Sequence, residues 1–219
     1  MIFVELSDLR AEALALTAEI PAGEPLDPLP AALIRLGVAA SVTCLDRTAI
    51  IGTVEGAFDA GASVQQVQEI MALVSGLGVH SLMASAPAVL KSAARRELIA
   101  PDAPLDAARQ ALWDRHVGDD PFWIGFAAEM PGFLEAILRL SPDIFTAFFA
   151  YCAVPWASGS VRARIKELVA MACDACPTHR FRPGFRVHLR NAIKLGVGRR
   201  AIEQTLDIAA SAPGHSGWG

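Results

Sequence analysis

Residues 32–81 align without a gap under residues 167–216, at a constant offset of 135. Eight aligned pairs are identical: Leu33 with Leu168, Ala40 with Ala175, Thr43 with Thr178, Arg47 with Arg182, Ala57 with Ala192, Gly61 with Gly196, His80 with His215 and Ser81 with Ser216. The punctuation agrees as well as the identities. Each copy reads as a helix, a turn containing Thr, a second helix closed by Gly, and a third helix. A duplicated helical unit is therefore the first constraint on the fold.

Local signals place the helices. In the first copy, Ser63-Val64-Gln65-Gln66 has the capping-box form and starts the third helix, along which Val64, Val67, Ile70, Met71, Val74 and Leu77 make one apolar stripe. In the second copy, Ser160 is a candidate cap for a helix from Val161 to about Cys176, because Pro177 disfavours helical geometry before it. Pro183 suits the first position of the next helix, Gly196 suits its stop after Leu195, and a third helix spans about Arg199 to Ala210. His80 and His215 are expected to end the last helix of each copy, where a cation suits the dipole. Ala88 to Ala100, Leu105 to Val117 and Met130 to Tyr151 read as connecting helices, broken at Pro101 and Pro104, at Asp119 to Pro121 and at Pro142. No segment reads as a strand. The expected fold is all-α, with two tandem helical pseudo-repeats. A degenerate N-terminal repeat occupies residues 1–100 around a core at 32–81, connecting helices occupy 101–160, and the C-terminal repeat occupies 161–219.

Composition narrows the setting. With 53% hydrophobic and 19% charged residues over 219 positions, the chain can build a core and is not disordered. The opening MIFVELSDLR has acids where a secretory signal carries bases, so no export signal is expected. The apolar stretch Ile144 to Ala157 is shorter than the roughly 20 residues of a membrane span and runs into Pro155, so no membrane helix is expected. Cys44, Cys152, Cys173 and Cys176 do not make a disulfide framework and are expected as reduced thiols in the cytoplasm. A net charge of -4 argues against nucleic acid as a partner. The expected partners are a small-molecule substrate and further copies of the chain, the latter from the apolar segment containing Phe145, Phe148, Phe149, Tyr151 and Trp156.

Candidate chemistry concentrates in the second copy. On the helix opened by Pro183, His188 shares a face with Phe185, Ala192 and Leu195, while Arg186, Arg190 and Lys194 take the opposite side. Glu167 lies early in the preceding helix with Met171 and Asp174 on its face. Two adjacent helices thus aim a carboxylate and an imidazole at an apolar interior, the outline of an acid/base pair. The same pattern suits a hydrogen-bonded core histidine and a surface glutamate. The first copy has Ala32 and Thr53 at these positions and is expected to line no comparable polar site.

From His179 to Arg200 there are seven cations and no acid. Arg186, Arg190 and Lys194 suit a solvated or subunit-facing helix side. Arg182, before Pro183 and matched by Arg47, suits either a fork onto a substrate carboxylate or a turn contact common to both copies. Cys173 and Cys176 form a C-x-x-C, but at the C-terminal end of a helix, where the dipole does not favour thiolate. They read as small buried hydrophobes, with a dithiol redox role as the alternative. His179, His188 and the cysteines lack a compact tetrahedral metal spacing, although Cys173, Cys176 and His179 fall at successive steps of three; no metal is expected.

The segment KELVAMACDACPTHRFRPGFRVHLRNAIKLGVGRRAIEQTLDIAA resembles the carboxymuconolactone decarboxylase family, which includes alkyl hydroperoxidase D. Glu167, His188, Ala192 and Gly196 carry the pattern of an early Glu followed by His-x-x-x-Ala-x-x-x-Gly. Thr178-His179, Pro183-Gly184 and Pro155-Trp156 add to it. The resemblance implies an all-α oligomer and two chemistries. Decarboxylase members are associated with a proton-transferring Glu and His, which are Glu167 and His188 here, with His179 as a second candidate acid and Arg182 as the anion holder. Peroxidase members carry a C-x-x-C whose second Cys lies four residues before the family His; those positions here are Phe181 and Gly184. The expectation is a decarboxylase-like enzyme acting on a small carboxylate or lactone without a cofactor. The alternatives are a thiol peroxidase on Cys173 and Cys176, and a catalytically silent binding or assembly protein.

Overall fold

The structure, a computed structural model, describes residues 3–215, so Ser216, the last aligned position of the repeat, lies outside the described residues. In chain order the helices are α1 (Leu6–Thr17), α2 (Pro28–Ala40), α3 (Arg47–Asp59), α4 (Val64–Gly76), α5 (His80–Arg95), α6 (Ala107–His116), α7 (Pro121–Glu129), α8 (Phe133–Leu140), α9 (Pro142–Ala157), α10 (Ala163–Ala175), α11 (Arg182–Lys194) and α12 (Arg199–Ala210). No strand occurs among the described residues.

The repeat is repeated in the backbone. Shifted by 135, α2 and α3 become α10 and α11 at both ends, and α4 and α12 share their first residue. Non-glycine residues with left-handed backbone fall at equivalent turn positions, Leu45 (φ 41) and Arg180 (φ 51), as do the helix-stopping Gly61 (φ 89) and Gly196 (φ 79). The turn hydrogen bonds match too. Cys44 and Leu45 N–H donate to Ser41 O at 2.9 and 2.7 Å, and His179 and Arg180 N–H donate to Cys176 O at 2.9 and 3.1 Å. A left-handed residue with a side chain costs about 1–2 kcal/mol. Its recurrence in both copies marks turn geometry inherited with the repeat.

The chain forms two compact units, one from its first 77 residues together with Val154 onward, the other Gly78–Ala153. The repeat helices α2 to α4 and α10 to α12 lie in the first unit, so the compact units do not follow the sequential segments 1–100, 101–160 and 161–219. At the centre of the first unit, α10 packs against α2, α4, α11 and α12 and is buried from Lys166 through Ala175. A helix buried on all sides must satisfy any charge it carries. Lys166 Nζ donates to Pro155 O at 2.6 Å and Ser158 O at 2.7 Å and pairs with Glu69 of α4. Glu69 also accepts from Ser158 Oγ at 2.5 Å and Val161 N at 3.2 Å.

That network corrects one helix start. Ser160 does not cap α10, because its carbonyl accepts from Gln66 Nε2 at 3.0 Å and the chain stays extended to the true cap, Arg162. The Ser63 capping box on α4 is present in both its bonds. Pro183 occupies the second position of α11, after Arg182. His80 opens α5 and is buried, and His215 lies beyond the end of α12, so neither histidine ends a helix. By length and hydropathy alone the run Val64–Arg95 could cross a bilayer, unlike the shorter Ile144–Ala157 stretch. Its α4 half is held in the first unit by buried Ile70, Leu73, Val74 and Glu69.

In the second unit α8 packs against α5 and α6. Pro87 lies inside α5, which starts well before Ala88; buried Met83 and Ala86 hold the turn through the proline. An aromatic cluster joins Trp123, Phe126, Phe133, Phe148 and Phe149, with His116 stacked on Phe149 at 4.7 Å. Phe145 and Phe148 are thereby core, not the oligomer surface expected of them, whereas Tyr151 and Trp156 are exposed.

Candidate active site

The helices of the second repeat bring Glu167 and His188 into direct contact. Glu167 is one turn into α10 and His188 two turns into α11, and Nδ1 of the imidazole lies 2.6 Å from Glu167 Oε2. Asn191, one turn beyond His188, donates from Nδ2 to Glu167 Oε1 at 3.1 Å. Both carboxylate oxygens are thus engaged from α11, which fixes the ring's orientation and favours a proton on Nδ1. Phe185 and Ala192 are fully buried beside His188 as its helical face requires, but Leu195 is exposed because it caps the helix.

Asp174 completes the arrangement. It lies two turns beyond Glu167 on α10 and is fully buried, with Oδ2 4.0 Å from His188 Nε2 and Oδ1 3.7 Å from His179 Nε2. Its carboxyl fits because position 184 is glycine: a Cβ there would collide with Asp174 Oδ2. His179 stacks on Phe181 with centroids 5.6 Å apart and leads the turn after α10. The four groups run in order Glu167, His188, Asp174, His179. The spacing of Asp174 from Glu167 was visible in the sequence; its placement between two imidazoles was not.

Electrostatics follow from burial and neighbours. Burial pushes the Asp174 carboxyl up to about 8, despite the opposing charge of His188, so the group holds its proton at neutral pH. For His188, burial disfavours the cation, but the hydrogen bond and charge of Glu167 outweigh it and raise the imidazole above its ordinary value. Burial lowers His179. Two imidazoles in one site are therefore pushed in opposite directions, the separation that lets one act as acid and the other as base. Asp174 Oδ1 and His179 Nε2 are also oxygen and nitrogen donors that a cation could share.

Arg182 is engaged elsewhere. Its Nε donates to Glu12 Oε2 at 2.9 Å, and Arg186 takes the other oxygen of the same carboxylate. Arg180 pairs with Glu5 at 2.8 Å. The acids missing from the cationic stretch thus come from α1 and the residue before it, which no local sequence pattern assigns. Arg182 serves as a structural tie to α1, and the anion-holding reading loses its support.

Cys173 and Cys176 do not form an activated thiol pair. Both are fully buried, burial drives Cys173 well above the ordinary thiol range, and Cys176 Sγ donates to Cys173 O at 2.9 Å. An open groove of about 670 Å³ lies between α2, α3 and α12, where Arg35, Ala39, Thr53, Gln204 and Asp207 line it. Ala39 and Thr53 are the first-repeat counterparts of Asp174 and His188. Thr53 thus lines a groove that holds no carboxylate–imidazole pair like that of Glu167 and His188, and Ala32 is buried as core.

No family model and no curated protein matches the chain. A solved structure described as a "putative gamma-carboxymuconolactone decarboxylase subunit", from Burkholderia xenovorans LB400, is similar to it with a TM-score of 0.72 and 27% sequence identity. The similarity covers 94% of this chain and 90% of that one. In its all-helical fold, over nearly its whole length, the chain is similar to that protein.

Proposed function

We propose that the chain is a decarboxylase-like lyase or isomerase that moves protons on a small carboxylate or lactone. The observation that carries this reading is the 2.6 Å contact of His188 with Glu167, with a protonated Asp174 on the ring's far side. When a β-keto or β,γ-unsaturated acid loses carbon dioxide, the electron pair of the breaking carbon–carbon bond passes into an enolate-like anion. That anion needs a nearby positive charge and a proton. The His188 imidazolium supplies both: Glu167 holds Nδ1–H, and Nε2–H is left to face the reacting carbon. After transfer, Asp174, 4.0 Å from Nε2, can return a proton to it through one water or after a small side-chain shift. His179, held neutral by burial, is placed to exchange with Asp174.

A lactone isomerisation uses the same groups, with His188 first removing a proton and then returning it. The test is a screen of small lactones and β-keto acids, read by carbon dioxide release and by proton exchange from solvent deuterium. Turnover by the natural chain that His188→Gln abolishes while the helical spectrum is retained supports the proposal. Turnover unchanged in His188→Gln overturns it. We also propose that the chain assembles as a homo-oligomer, as the resemblance implies, through surface other than the buried Phe145 and Phe148.

A further inference from the structure

We propose that Cys44 and Cys176 form a peroxide-oxidisable pair that closes to a disulfide between the two repeats. The two sulfurs lie 3.8 Å apart, each in the turn that follows the equivalent helices α2 and α10. Both side chains are fully buried. Hydroxyl groups surround the pair: Thr178 Oγ1 is 3.3 Å from Cys44 Sγ and 3.6 Å from Cys176 Sγ, and Thr43 Oγ1 is 3.8 Å from Cys176 Sγ. Thr43 and Thr178 are themselves a repeat-equivalent pair. The same residue of each repeat thus touches the sulfur pair, Thr178 meeting both sulfurs and Thr43 meeting Cys176, and Thr178 is exposed.

Geometry favours this partner over the adjacent C-x-x-C. Cys176 Sγ donates to the backbone carbonyl of Cys173 and lies 3.8 Å from the Cys44 sulfur, while Cys173 is buried within the core. Closing 3.8 Å to a bond of about 2.05 Å asks for a shift of under ~2 Å, shared between two turns outside the helices. The single Cys176 proton is held by the Cys173 carbonyl, whereas the Thr178 hydroxyl, 3.3 Å from Cys44 Sγ, is free to donate to that sulfur and favours its thiolate against burial, so Cys44 is taken as the nucleophile of the pair. Cys176 is raised by its bond to Cys44 and by burial, and keeps its proton.

The chemistry balances with hydrogen peroxide as oxidant. Cys44 thiolate attacks one peroxide oxygen, the oxygen–oxygen bond breaks, and hydroxide leaves with the proton that Cys44 released, giving water and a sulfenic acid. The Cys176 sulfur then displaces the hydroxyl from Cys44, releasing a second water and leaving the disulfide. Two thiols are oxidised and one peroxide is reduced. This oxidation needs nothing from Glu167 or His188. Its product would nonetheless bear on the site, because the Cys176 carbonyl accepts from the backbone of His179.

The test uses the native chain treated with hydrogen peroxide, quenched in acid, alkylated under denaturing conditions and digested with trypsin without reduction. The expected result is one cross-link between the peptide Leu36 to Arg47 and the peptide Glu167 to Arg180, with loss of two thiols per chain. Cys173 and Cys152 should both be recovered alkylated. Cys173→Ser should keep the link, and Cys44→Ser and Cys176→Ser should each abolish it. A Cys173–Cys176 disulfide in the natural chain overturns the proposal, as does full alkylation of all four cysteines after peroxide. Both of these outcomes are read on the natural chain alone, so the proposal stays refutable even where a variant misfolds.

Discussion

Asp174→Asn should make the protein more stable while damaging its activity. In the folded chain burial holds the Asp174 carboxyl near 8, against an ordinary value of 3.8. Between those values the folded state binds a proton that the unfolded chain has released, so the native state loses stability as pH rises across that window and keeps it fully below 3.8. At pH 7 the gap amounts to roughly three units, or about 4 kcal/mol at 1.36 kcal/mol per unit. Asparagine has the shape of the protonated acid and takes up no proton on folding. The variant should therefore gain about 4 kcal/mol at pH 7, a rise in Tm of about 8–16 °C for a chain of this length. The gain should shrink to nearly nothing at pH 4. Urea unfolding of both proteins at pH 4, 5.5 and 7 measures it. A difference that does not change with pH, or a variant less stable at pH 7, would refute a buried protonated Asp174.

His188→Gln should remove turnover with the fold retained, and His188→Ala should remove it with an added packing loss of about 1–3 kcal/mol; helical spectra and thermal unfolding separate the two. Glu167→Gln takes away the carboxylate that raises His188, so the imidazole should titrate at lower pH, a shift that NMR of the ring protons reads directly. If the ring titrates unchanged, Glu167 is not its principal partner. Lys166→Met strands the buried Glu69 carboxylate and should cost about 3–5 kcal/mol in urea unfolding, while the double change with Glu69→Gln should recover much of that loss. Light scattering at micromolar concentration should show an oligomer; a monomer would count against the proposed assembly.

What the sequence disclosed was what repeats or has a period. The offset of 135 located six helices of two equivalent sets, and wheel geometry put His188 and Glu167 on facing sides. Long-range partners were hidden because no local pattern encodes them. The Arg182 carboxylate partner is Glu12, 170 positions away, and the Cys44 neighbour is Cys176, 132 positions away. The displaced start of α10 has the same origin. Ser160 has sound capping chemistry locally, but Gln66 and Glu69 of α4 bind the backbone of residues 160 and 161 first.

The two repeats diverge at five linked positions. Glu167, Asp174, His179, His188 and Asn191 correspond to Ala32, Ala39, Cys44, Thr53 and Gly56. A buried carboxylate is tolerable only while its imidazole and amide partners are present, so losing one member makes the others costly. Loss of a single partner in the first copy would thus favour loss of the rest, giving the small, mostly apolar set seen there. The first copy then serves as packing surface: α2, free of buried charge, lies against the fully buried α10 that carries both carboxylates. Keeping one set and emptying the other confines the desolvation cost to the second repeat. The Thr turn, which both copies retain, brings the Cys44 and Cys176 sulfurs of the two repeats to 3.8 Å beside Thr43 and Thr178.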